Sequence, residues 1–286
     1  MSREAAVRGA GAGPGAPPRK VVILARGLGT RMRRLDPVPG LDPRQVSAAD
    51  SGMKAMIPFG RPFMDYLLRS LADAGLEEAC LVVGPEHSAI REYYTVTAPP
   101  RRIGIAFAIQ EEPRGTADAL LSAVPFVGED SFLTVNSDNL YPPSALSGLR
   151  SLRGPGVVLF PRDAPTRGSN IPPERIAAFS VCRLAPDGTL ASIIEKPGAD
   201  PVAVPGEDFL ISMNCWRFSP AIFRACREIP LSSRGELELP QAVQHAVSAR
   251  GARFHVVLCR EGVLDLSSRA DIPAVAERLR HLPAEP

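Results

Sequence analysis

Short apolar runs alternating with stretches of helical periodicity constrain this chain more than any other feature. Runs bounded by turn residues occur at Lys20 to Ala25, Ala79 to Gly84, Ile103 to Gln110, Phe132 to Asn136 and Val157 to Pro161, and read as strands. In RPFMDYLLRSLADAG the apolar positions Phe63, Tyr66, Leu67, Leu71 and Ala74 follow the i, i+3, i+4 rhythm of an amphipathic helix, with Gly75 as its C-cap. Strand, helix, strand alternation favours an α/β fold. Its central sheet is expected to be mostly parallel, with helices on both faces and ligands outside the carboxyl ends of its strands.

The second half changes character. Ala178 to Leu184 and Thr189 to Lys196 flank the turn sequence Pro186-Asp187-Gly188, which predicts a β-hairpin, and Phe209 to Phe218 adds a strand before helices near Ala221 and Leu239. Residues 20 to 286 are expected to form one domain, with a small β-rich subdomain in its second half. With 45% hydrophobic and 22% charged residues in 286, the bulk of the chain can bury enough apolar surface to fold. Residues 1 to 19, rich in Gly, Ala and Pro and lacking an apolar signal core, are expected to be a disordered tail. No internal repeat is evident, which argues against an appended β-helix.

Charge narrows the function classes. A net charge of +2, no long basic run and 6% aromatics advertise neither a nucleic-acid platform nor a membrane patch. Nothing approaches the roughly 18 uninterrupted apolar residues of a membrane span. Cys80, Cys182, Cys215, Cys226 and Cys259 are scattered and odd in number, which predicts reduced thiols in a cytoplasmic protein. The histidines, His87, His245, His255 and His281, show no ligand or triad spacing. A small, locally recognised substrate fits best.

The first strand runs straight into Arg26-Gly27-Leu28-Gly29-Thr30-Arg31. Glycines let a backbone turn sharply and approach a phosphate, whose oxygens accept from exposed N–H groups and from Arg31. The segment is neither a dinucleotide G-x-G-x-x-G nor a P-loop, because no Gly-Lys-Ser/Thr follows.

With its flanks, LARGLGTRM resembles the A-G-G-x-G-T-R signature of the sugar-nucleotide pyrophosphorylases, the family of glucose-1-phosphate thymidylyl- and uridylyltransferases. Later segments agree in order. Gly52-Met53-Lys54-Ala55-Met56-Ile57-Pro58 resembles P-K-P-x-x-P-V, and Gly60-Arg61-Pro62-Phe63-Met64-Asp65-Tyr66 resembles G-K-P-x-x-x-Y. Gln110-Glu111-Glu112-Pro113-Arg114-Gly115-Thr116-Ala117 is similar to the base-reading Q-x-x-P-x-G-T-A. Asn136-Ser137-Asp138-Asn139 resembles the G-D-N metal segment, Glu195-Lys196-Pro197 the E-K-P, and Val263-Leu264-Asp265-Leu266 the late W-x-D.

The resemblance implies a Rossmann-like fold, with residues 20 to 150 as the nucleotide-binding half and 151 to 286 as the sugar-phosphate-binding half. It implies transfer of a nucleoside monophosphate from a nucleoside triphosphate to a sugar-1-phosphate, releasing pyrophosphate. Arg31, Lys54 and Lys196 would be catalytic. Ala25, Gly27, Gly29, Thr30, Gln110, Gly115 and Thr116 would bind the nucleotide. Glu195, Lys196 and Asn214 would bind the sugar phosphate, and Asp138 and Asp265 would hold Mg²⁺. Members of this family commonly assemble, which leaves a homo-oligomer open.

Three departures stand out. Arg26 replaces the second residue of the Gly-Gly pair and is expected either to turn outward or to add charge near the phosphates. The stretch from Arg33 to Met53 is longer than the family's short loop, which predicts a lid or a disordered segment. Arg175-Ile176-Ala177-Ala178 stands where glucose-specific members carry Tyr-Gly. Two alternatives therefore stay open: a cyclitol or alcohol phosphate as acceptor, or a catalytically silent regulatory homologue.

Overall fold

The computed structural model describes residues 16–34, 38–164, 168–195 and 209–286. Strand β1 (Lys20–Leu24) shows why the chain builds three layers. Its alternate side chains point to opposite faces. Val21 and Ile23 pack with Met64, Leu67, Leu68 and Leu71, whereas Val22 and Leu24 pack in a second core with Leu120, Phe223 and Val243. Each such side chain, fully buried, stabilises the fold by about 1.5–3 kcal/mol relative to exposure.

After β1 come α1 (Pro43–Ser51), a two-residue hairpin β2 (Pro58–Phe59) and β3 (Arg61–Pro62), and α2 (Phe63–Asp73). Then β4 (Glu78–Val83), α3 (Ser88–Glu92), β5 (Gly104–Ile109), α4 (Thr116–Ser122), α5 (Val124–Val127) and β6 (Phe132–Asn136) complete the first half. Strands β6, β1, β4 and β5 lie side by side, all parallel. Since β1 lies between β6 and β4, it is central in the sheet. The register aligns Leu24 with Asn136 and with Val82, and Val83 with Ile109. The loops that leave these four strands therefore start side by side on one rim.

The second half extends the same sheet in mixed fashion. It contributes β7 (Asn139–Leu140), α6 (Pro143–Ser151), β8 (Gly156–Pro161) and the predicted hairpin β9 (Ser180–Leu184) with β10 (Leu190–Ile194). β11 (Leu210–Phe218), α7 (Ile222–Glu228), α8 (Leu239–Arg250), β12 (His255–Leu258), β13 (Leu264–Asp265) and α9 (Ile272–Leu279) follow. β11 runs antiparallel to β6, β8 and β9, and its register against β8 shifts between Ser212 and Trp216. Within that irregularity Asn214 has φ 55°, alone among the described non-glycine residues in being positive. β13 pairs with β7, setting Asp265 opposite Asn139.

The expectation of a lid or disordered stretch between Arg33 and Met53 is corrected by α1. Asp42 caps it, Gln45 completes a capping box, Pro43 stands in its first turn, and Gly52 ends it in the left-handed region at φ 76°. Residues 35–37 lie outside the described residues. Ala49 of α1 joins Met32, Ile57, Phe63, Leu266 and Val275 in a third apolar cluster, and Asp50 pairs with the guanidinium of Arg269. The helix is thus fastened to the chain's last segment.

All five cysteines are free and buried, and desolvation pushes the Cys80 thiol up to about 12. Among the described residues no helix is long and apolar enough to cross a membrane.

Candidate active site

The rim of aligned loops opens into a cleft of about 530 Å³. Arg26 to Arg31, Lys54, Gln110, Gly115, Thr116, Asp138, Asp265, Glu195 and Asn214 all line it. So do Leu24 and Ala25, where β1 ends. Lys196 lies outside the described residues. Every other candidate from the sequence is thus brought to one concavity, from segments more than 200 residues apart.

The glycine loop holds its shape by close approach. Gly29 has φ +61°, and a Cβ there would stand 2.3 Å from the carbonyl oxygen of Gly52. A side chain is excluded by contact as well as by conformation. The loop therefore rests on the end of α1, so the inserted helix helps position it. Arg31 approaches Ser267 Oγ at 3.5 Å, the long limit of a hydrogen bond, and is otherwise available to a ligand.

Lys54 opens a short 3₁₀ turn, and its Nζ donates to Asp138 Oδ2 at 2.9 Å. Asp138 follows β6, and its carbonyl oxygen accepts from the Leu266 N–H at 2.8 Å. That bond and the β7–β13 pairing set Asp265 beside it. Asp265 is 2% exposed. Its Oδ1 accepts from Asn139 Nδ2 and its Oδ2 from Arg175 NH1, both at 2.9 Å. Burial first, and then the Asp138 charge, raise the Asp265 carboxyl above its ordinary value, against the pull of Arg175.

Do these residues fit a divalent cation? Asp138 and Asp265 form a hard-oxygen pair, the first lining the cleft beside Lys54 and the second beside Arg175, and a cation would share the carboxylates with those side chains. Among the described residues no group of three or more His, Cys, Asp or Glu could enclose an ion. The pair fits magnesium, which characteristically takes one or two carboxylates and draws its remaining ligands from water and substrate phosphates.

After β5, Gln110 Nε2 donates to the Gly115 carbonyl at 3.0 Å and to Asp118 Oδ2 at 2.8 Å. Thr116 Oγ1 accepts from the Leu239 N–H at 2.9 Å, so its hydroxyl ties α4 to the start of α8. Arg26 does not turn outward as one of the two expectations had it. Its Nε donates to the Gln110 carbonyl at 2.6 Å and its NH2 to the Glu111 carbonyl at 3.1 Å. Glu86 pairs with it at 3.4 Å. Its side chain lies buried along the end of β5.

At the other end, Ser180 Oγ donates to Glu195, and Arg234 stands 3.7 Å from Glu195 and 2.8 Å from Glu238. Asn214 Oδ1 accepts from Trp216 Nε1 at 3.2 Å, and Tyr141 braces the bulge by donating to the Met213 carbonyl at 2.7 Å. A positive φ in a strand bulge facing a cleft is backbone strain of the kind that clusters at working sites. Arg175, Asn139, Arg234, Glu236 and His87 were not among the residues expected to act at this site. Asn139 carried a signal as part of the segment resembling G-D-N, and Arg175 as part of the stretch that stands where glucose-specific members carry Tyr-Gly.

A model of the nucleotidyl transferase family matches residues 20–262. The chain belongs to this family. Among its relatives, a UTP–glucose-1-phosphate uridylyltransferase of Haloferax volcanii is 28% identical over 261 residues, covering 91% of this chain and 96% of that protein. A glucose-1-phosphate thymidylyltransferase of Streptomyces griseus is 28% identical over 242 residues, covering 83% of this chain and 60% of that protein. A UDP-glucose pyrophosphorylase complexed with UDP-glucose superposes with a TM-score of 0.71 at 17% identity, over 92% of this chain and 98% of the other. At that identity the likeness is one of fold. The nucleotidyl transferase fold and the expected mixed α/β sheet are the same architecture here.

Proposed function

We propose that this nucleotidyl transferase moves a nucleoside monophosphate from a nucleoside triphosphate to a sugar-1-phosphate, giving a nucleoside-diphosphate sugar and pyrophosphate. One observation carries the reading. The glycine loop with Arg31, the Lys54–Asp138 pair, buried Asp265 and the Glu195 hairpin end all face one cleft. That is the equipment for aligning two phosphorylated substrates.

In such a reaction an oxygen of the acceptor phosphate attacks the α-phosphorus while the bond to the β-phosphate oxygen breaks. No covalent enzyme intermediate is needed, and the protein's contribution is alignment and charge stabilisation. The N–H groups of Gly27 to Thr30 and the Arg31 guanidinium would hold the departing pyrophosphate. Lys54 would steady the α-phosphate, exchanging its Asp138 partner for phosphate oxygens. Glu195 would accept from sugar hydroxyls, and Lys196, next in sequence, would hold the acceptor phosphate. Asp138 and Asp265 would hold magnesium, which when bound neutralises charge developing on the phosphates.

The test is release of pyrophosphate from UTP, dTTP, GTP, CTP and ATP with a panel of sugar-1-phosphates, cyclitol phosphates and alcohol phosphates. Turnover is expected with a sugar-1-phosphate and magnesium. Turnover confined to cyclitol or alcohol phosphates would overturn the acceptor assignment. Triphosphate binding without turnover on any acceptor would overturn the enzymatic one.

A further inference from the structure

We propose that Arg26 selects the nucleobase, admitting bases with a lactam edge, an N–H beside a carbonyl as in uracil, thymine and guanine, over cytosine and adenine. The inference rests on the nucleotidyltransferase reading and names the base that reading leaves open.

The reasoning is a donor and acceptor count. Both Nε2 bonds of Gln110 go to atoms that can only accept, the Gly115 carbonyl and the Asp118 carboxylate. That fixes the orientation of the amide: its nitrogen lies on that side. Among the described residues Oε1 makes no hydrogen bond, so it is what Gln110 offers to a ligand. Gln110 thus presents an acceptor and calls for an N–H on the base.

Arg26 supplies the complementary half. Its side chain is 6% exposed. Three contacts, to the Gln110 and Glu111 carbonyls and to Glu86, lock Nε and NH2 in place. The remaining nitrogen, NH1, is buried with no partner among the described residues. A buried guanidinium nitrogen carries only donor protons and is costly to leave unsatisfied. Arg26 and Gln110 line the same cleft, and the Nε bond to the Gln110 carbonyl holds the guanidinium against Gln110 itself. A base whose N–H meets Gln110 Oε1 would have its neighbouring edge atom toward the Arg26 guanidinium, which lies just beneath the cleft wall.

Uracil and thymine answer this with N3–H and O4, and guanine with N1–H and O6. Cytosine and adenine reverse both positions. They would set a ring-nitrogen lone pair against Gln110 Oε1 and an amino group against the Arg26 donors, leaving four polar groups mismatched in a buried site.

Calorimetric titration of the intact protein with UTP, dTTP, GTP, CTP and ATP, with 4-thio-UTP as atomic probe, tests this. Wild type is expected to bind at least one lactam triphosphate about tenfold or more tighter than CTP and ATP. The UTP, dTTP and GTP arms distinguish a pyrimidine from a purine source of that edge. Arg26→Ala should lower the preference for the lactam base over CTP by about tenfold, leaving the share that Gln110 contributes. For a pyrimidine, 4-thio-UTP should bind wild type more weakly than UTP and bind Arg26→Ala equally well. Wild type that binds CTP as tightly as UTP and GTP overturns the inference without any variant, should Arg26→Ala fail to fold. A folded variant that keeps the wild-type preference overturns it as well. Either result leaves the nucleotidyltransferase reading standing, whereas failure to bind any triphosphate overturns both.

Discussion

Replacing Gly115 by alanine tests whether the loop between β5 and α4 is shaped by close backbone approach. Gly115 has φ +108°, and a Cβ there would lie 2.4 Å from the Leu237 carbonyl oxygen and 2.7 Å from the Leu237 nitrogen. A non-glycine residue at such angles costs about 1–3 kcal/mol in backbone strain alone. Relief of the overlap must also move residue 237, which accepts from the Ala117 N–H and donates to the Arg114 carbonyl, both at 2.8 Å. Weakening those two bonds adds about 0.5–1.5 kcal/mol each. Gly188 is the control, since its φ is +78° and nothing lies within 4 Å of its Cβ position. Gly188→Ala should cost about 1–2 kcal/mol, from conformation only. The loss of unfolded-state entropy is the same in both variants and cancels in the comparison. Gly115→Ala should therefore be less stable than Gly188→Ala by about 1–3 kcal/mol, from the backbone overlap and its two strained hydrogen bonds. Equilibrium urea denaturation with unchanged m-values reads this. Because the Gly115 carbonyl anchors Gln110 at 3.0 Å, triphosphate affinity should fall in Gly115→Ala and stay unchanged in Gly188→Ala. Equal urea midpoints and equal affinities for the two variants would refute the reasoning.

Asp138→Asn and Asp265→Asn should each slow turnover by about 10²-fold or more with the fold retained by circular dichroism, and the double variant should lose little more, because both disable one cation. Full magnesium-dependent turnover in Asp265→Asn would remove that residue from the site. Lys196→Ala should weaken acceptor phosphate binding while leaving triphosphate affinity nearly intact, and calorimetry with equal losses for both substrates would contradict the assignment. Burial, helped by the charges of Arg26, Arg91 and Arg33 and opposed by Glu86, holds the His87 imidazole below its ordinary 6.5. The unfolded chain takes up that proton first, so the associated stability is complete above pH 6.5 and is lost as pH falls through the folded value. Urea midpoints of His87→Gln should fall less than those of wild type on going below pH 6.5, and an identical slope would exclude His87 as a source.

Local pattern determined a good deal of this protein. Strands, the helix over Phe63–Asp73 and the hairpin about Gly188 were legible because periodicity and turn chemistry act within a few residues. The order of short segments along the chain was enough for the family. Helix α1 was legible too, through Asp42, Pro43 and Gly52, but PRQVSAADS has no strong apolar stripe and the length of the insertion suggested a loop instead. What no local pattern contains is which distant groups meet. Asp265 reaches Asp138 only because β13 pairs with β7, and its bond to Asn139 joins residues 126 apart. Arg175, 90 residues away, then binds the same carboxylate. Arg26 was visible as an oddity, yet whether its side chain turned outward or stayed inside depended on the carbonyls of residues 110 and 111, presented at the end of β5. Such contacts follow from the register of packed strands, which the whole core sets at once, and so tertiary structure decided them.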